Sequence, residues 1–209
     1  MRWEGERQSD NVEDRRSGGG GGGGFSLGGR GIGIGTIVLA LIGWGVFGIN
    51  PLTIIGMMSG GGGPAVVQQQ GPAKAPPSDD KGAAFVSTVL ASTEDAWSKV
   101  FAASNARYTP PRLVLYRGAT PTACGTGQSA MGPFYCPGDQ KVYLDMDFFD
   151  TLSRQLGAPG DFARAYVVAH EVGHHVQNLM GLTDKVDAMR GRVSQAQQNA
   201  LSVRLELQA

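Results

Sequence analysis

His170, Glu171 and His174 are the residues whose types and spacing carry chemistry in this chain; they form the pattern H-E-x-x-H. Residues four apart on an α-helix lie one turn apart on nearly the same face, so the two imidazoles can converge on one metal ion. A glutamate directly after the first histidine projects beside that pair, where its carboxylate can hold a water and take its proton. Two imidazoles with positions left open for a further ligand and water suit catalytic zinc. All three histidines of the chain fall in this one stretch. His175 lies about 100° round the helix from His174, so it cannot share the ligand direction and reads as a supporting or structural residue.

The flanking sequence must supply the helix. Asp161, after Gly157-Ala158-Pro159-Gly160, is the expected N-cap, and Phe162, Tyr166, Val167, Val172 and Val176 give an apolar stripe that Gly181 ends. Upstream, globular sequence is expected from about Phe85, where Phe85, Val86, Val89, Leu90, Trp97, Val100 and Phe101 recur at helical spacing. Leu113 to Tyr116 and Val142 to Leu144 read as short strands, and Asp147 to Leu156 as a helix. A last helix is expected from about Val193 to the end. The pattern predicts an α+β fold, mainly helical with a small sheet.

The first part of the chain is of another kind. Most of the 33 glycines precede residue 64, and residues 1–30 are polar, then glycine-rich, which predicts a disordered arm. Ile32 to Ile49 contains no charge and is long enough to cross a bilayer, so residues 31–58 are expected to be a transmembrane anchor. Arg15, Arg16 and Arg30 precede it and Lys74 is the first base after it, which predicts a cytoplasmic N-terminus and an extracytoplasmic domain. Residues 59–84 carry Gly, Pro and Gln and read as a linker to a domain at 85–209. In an oxidising compartment, Cys124 and Cys136 are expected to form a disulfide. With 18 basic and 18 acidic residues, nothing points to a nucleic-acid partner.

A catalytic zinc usually takes three protein ligands. After His174 the carboxylates are Asp184, Asp187 and Glu206. The two aspartates fall just past the helix stop, where they read as solvated. Glu206 sits among Leu201, Val203, Leu205 and Leu207 on the last helix, which indicates burial and a partner. On the residues alone, a ligand and a solvated helical glutamate stand nearly even.

The runs Ala123-Cys124-Gly125, Gly132-Pro133-Phe134-Tyr135-Cys136-Pro137, Lys141-Val142-Tyr143-Leu144-Asp145 and Val168-Ala169-His170-Glu171-Val172-Gly173-His174-His175-Val176-Gln177, with Leu205-Glu206-Leu207-Gln208-Ala209, resemble the neutral zinc metallopeptidase family of bacteria. The resemblance implies a single-span inner-membrane protein with a zincin-like domain facing the periplasm. It implies Zn²⁺ on His170, His174 and Glu206, with Glu171 as general base in hydrolysis of a polypeptide substrate. Val142 to Leu144 would be the edge strand that aligns an extended peptide. The family continues past Ala209 with an aspartate, so the chain resembles a C-terminally incomplete member, and that aspartate would orient a ligating histidine. The alternative is a non-catalytic, zinc-stabilised binding module tethered at the membrane.

Overall fold

The computed structural model describes residues 2–16 and 74–209. The expected anchor at 31–58 lies outside them, as does most of the expected linker. Among the described residues, no helix is long and apolar enough to cross a membrane.

The architecture is α+β, as expected. A sheet of order β1-β2-β6-β5 is built from Val12–Asp14, Arg112–Tyr116, Lys141–Asp145 and Phe134–Cys136. The first three strands run parallel, and β5 runs antiparallel to β6. A separate hairpin pairs β3 (Ala119–Thr122) with β4 (Gly125–Gln128). Five helices follow in chain order: α1 (Lys81–Ala103), α2 (Phe148–Arg154), α3 (Asp161–Leu179), α4 (Leu182–Asp187) and α5 (Gln195–Gln208).

Alternation along the strands divides the sheet into two faces. Leu113, Leu115, Val142, Leu144 and Val12 meet Phe85, Val86, Val89 and Leu90 of α1, Phe149 and Leu152 of α2, and Val168 and Val172 of α3. The other face carries Val114, Tyr116 and Tyr143, closed over by Phe134, whose ring stacks on Tyr143 at 5.0 Å. The metal-motif helix is thus fixed by its own valines to the central strands. Asp80 caps α1 by accepting from the Ala83 N–H at 2.9 Å, and Ser194 and Gln197 form a capping box on α5.

Several expectations are corrected. The N-terminal arm is not disordered over residues 2–16. Val12, Glu13 and Asp14 pair in register with Leu113, Val114 and Leu115. So short and polar a strand holds because its hydrogen bonds reach buried partners. Ser9 Oγ and Asn11 Nδ2 donate to the buried Glu94, Ser87 Oγ donates to the Ser9 carbonyl, and Trp3 packs edge-on against Phe85. Val142 to Leu144 is not an edge strand either: β6 lies between β2 and β5. At the start of α3, Gly160 with φ 97° is the cap, and Asp161 is the first helical residue, accepting from the Trp3 indole N–H at 3.3 Å. Glu206 lies on a helix with no buried residue, so its apolar neighbours do not bury it as expected.

Candidate metal centre

One face of α3 carries Tyr166, His170 and His174 in successive turns. The Tyr166 ring stacks on His170, and the two imidazole centroids are 4.7 Å apart. α5 brings Glu206 across them. Its Oε2 lies 3.3 Å from His170 Nε2 and 3.5 Å from His174 Nε2. Ligands about 2.05 Å from a tetrahedral zinc are separated by about 3.3 Å along each edge of the tetrahedron, so both spacings fit one zinc. The three donor atoms form a group within 4.8 Å of one another, and two imidazoles with a carboxylate are a donor set of a catalytic zinc. Asp184 and Asp187 lie on α4 outside this group.

Glu171 is buried beside the pair. Burial pushes its carboxyl up, the positive character of His174 pulls it down, Glu206 pushes it up again and the Tyr135 backbone N–H lowers it; the result is about 7. The group is therefore poised to exchange a proton near neutral pH.

Sequence reasoning missed two residues that organise this region. Gln177 is 3% exposed, and its amide is fully engaged. Nε2 donates to the Leu205 carbonyl at 2.7 Å and to Gln208 Oε1 at 3.3 Å, while Oε1 faces His174 Nδ1 at 3.0 Å. A carbonyl only accepts, so the amide orientation is fixed and His174 carries its proton on Nδ1, leaving the Nε2 lone pair for a metal. The signal was the i, i+3 spacing from His174, which puts the two on one face. His170 Nδ1 is buried with no hydrogen-bond partner among the described residues.

Tyr135 is the second. Its hydroxyl accepts from Asn178 Nδ2 at 3.0 Å and donates to His175 Nδ1 at 3.1 Å. His175 Nε2 in turn donates to the Thr109 carbonyl at 2.7 Å. His175 is fully buried in this role, and burial holds its pKa below the ordinary value. It is a structural histidine, as its position on the helix predicts.

The cleft at the centre has a volume of about 480 Å³ and runs between Pro133 to Pro137 on one side and α3, α4 and α5 on the other. β5 forms its wall and is the sheet's true edge there. By alternation, residues 133, 135 and 137 face outward, but Pro133 and Pro137 have no N–H and that of Tyr135 is directed at Glu171. The expected disulfide Cys124–Cys136 is present and ties the β3–β4 hairpin to this wall.

Residues 1–209 match the family described as "Putative neutral zinc metallopeptidase". The chain belongs to that family. It is 49% identical over 215 residues to "Uncharacterized protein YpfJ" of Escherichia coli (strain K12), a match covering 100% of this chain and 72% of that protein. It is also 50% identical over 105 residues to "Uncharacterized protein Rv2575" of Mycobacterium tuberculosis (strain ATCC 25618 / H37Rv), covering 49% of this chain and 33% of the relative. No solved structure matches the chain. Family membership and the His170–His174–Glu206 group agree on the metal: the residues present fit zinc.

Proposed function

We propose that the chain is a zincin-like metallopeptidase that hydrolyses peptide bonds of polypeptides outside the cytoplasm, tethered to the bacterial inner membrane through residues 31–58. The observation that carries this reading is the convergence of His170, His174 and Glu206 beside a buried Glu171. Zinc, when bound, supplies Lewis-acid chemistry that makes water acidic near neutral pH and polarises a carbonyl. His170 and His174 would hold it through Nε2 and Glu206 through its carboxylate. Glu171 takes the proton of the water that attacks the scissile carbonyl and returns it to the leaving amine. A buried carboxyl near 7 suits both halves of that exchange. A binding module with a purely structural zinc has no use for a base in this place, which favours the peptidase over the tethered binding module. The disulfide supports the location, since an oxidising compartment keeps it closed.

The test is Glu171→Gln in the full chain, assayed on an unfolded protein substrate with zinc content measured in parallel. We expect zinc to be retained and hydrolysis to fall by at least about 10²-fold, the lower range for removing a general base. Unchanged hydrolysis would sink the mechanism.

A further inference from the structure

We infer that Gln177 is a positioning residue that couples two of the three metal ligands, fixing His174 and the Glu206-bearing helix in one geometry. The inference rests on the zinc reading above and concerns how this chain builds that site.

α5 has no buried residue, so hydrophobic packing does little to place it. Among the described residues, the hydrogen bonds that join α5 to another element come from Gln177, apart from the approach of Glu206 to the histidines. The bond at 2.7 Å goes to the carbonyl of Leu205, the residue next to Glu206. The same amide accepts from His174 through its other end. One rigid planar group therefore sets the distance between the carbonyl beside the third ligand and the ring of the second. It also fixes the tautomer that leaves His174 Nε2 free. Gln177 sits 3% exposed with each bond satisfied, so water does not replace either contact.

The experiment measures zinc affinity of the full chain by competition with a chromophoric chelator, alongside the melting temperature of the zinc-free protein. Wild type, Gln177→Leu and Gln177→Glu are each made with Glu206 intact and with Glu206→Ala. Leucine keeps the volume and removes all three hydrogen bonds. Glutamate keeps an acceptor for His174 Nδ1 but sets a carboxylate against the Leu205 carbonyl. We expect Gln177→Leu to weaken zinc binding about 10- to 100-fold, the range for removing a partner of a metal ligand, and to cost several-fold less when Glu206 is already absent. Gln177→Glu should weaken binding only while Glu206 is present, and it carries the test if the leucine variant does not fold. Affinities within about twofold of wild type, or equal losses with and without Glu206, would overturn the coupling. A wild-type chain that binds no zinc would instead overturn the metal centre itself.

Discussion

Gly173 lies between His170 and His174 of the candidate metal centre, and its replacement by alanine should separate fold stability from metal affinity. A Cβ built there meets the Ala209 carbonyl oxygen at 2.7 Å and its Cα at 2.8 Å, both backbone atoms. Ordinary contact begins near 3.4 Å, so one partner must retreat by about 0.7 Å. The core side of α3 is held by Val168 and Val172, which are 1% and 0% exposed, while α5 has no buried residue and only Gln198, Leu201 and Leu205 half-buried. The helix that moves is therefore α5, and Glu206 moves with it. Metal–ligand distances tolerate about 0.2 Å, so a displacement several times larger detaches or distorts the third ligand. We expect zinc affinity to drop on the order of 10- to 100-fold, comparable with other disruptions of ligand support. The stability of the zinc-free protein should change by less than about 1 kcal/mol, because the helix gain of about 0.5–1 kcal/mol from alanine is offset by strain on the Gln177–Leu205 hydrogen bond as α5 retreats. Chelator competition reads the first quantity and urea denaturation in chelator the second. If affinity stays within about twofold, or if the zinc-free protein loses more than about 2 kcal/mol, as core disruption would cost, α5 is not the yielding partner and the reasoning fails.

Two further outcomes follow from the fold. The Cys124–Cys136 bridge closes a loop with a sequence separation of 12, so reducing it should lower unfolding stability by about 3 kcal/mol, read as the shift in denaturation midpoint with and without reductant; an unmoved midpoint would refute it. The arm should come off in acid. Hydrogen bonds from Arg16 hold Asp14 below its ordinary value of 3.8, and for Glu13 the pull of Arg15 and Lys141 outweighs the upward push of burial. Both folded pKa values are depressed, so their contribution is complete above the ordinary values of 4.5 and 3.8 and is lost as pH falls below them through the folded ones. Hydrogen exchange at residues 12–14 should accelerate in that window before the core amides do, and simultaneous loss would contradict it.

The site was legible to very different degrees along the chain. His170, Glu171 and His174 could be read because helical periodicity converts spacing directly into direction. Glu206 could not be settled that way. Its apolar neighbours suggested burial, yet its side chain is 62% exposed, and what places it is a tertiary hydrogen bond from Gln177. The resemblance to the family, rather than any pattern on the last helix, pointed to it as a ligand. Leu113 to Tyr116 and Val142 to Leu144 were recognisable as strands from their β-branched and apolar content. Their order was not, because the outer neighbour of β2 is a three-residue strand some hundred positions earlier whose sequence, Val-Glu-Asp, has no strand signal. Long-range pairing of that kind leaves no local trace.

That short strand also constrains how the chain meets a bilayer. β1 and β2 are adjacent rungs of one ladder, and the Asp14 N–H donates to the Lys74 carbonyl at 2.7 Å, so the chain departs and returns at nearly the same point. A polypeptide that traverses a membrane once leaves its flanks in different aqueous spaces, where no hydrogen bond can join them. Residues 2–16 and 74–209, joined by these hydrogen bonds, therefore belong on one side of a bilayer. Of the three basic residues counted ahead of the apolar segment, Arg30 lies outside the described residues, while Arg15 pairs with Glu13 and Arg16 with Asp14 and Asp80. Both guanidinium groups are thereby engaged where the arm meets the domain.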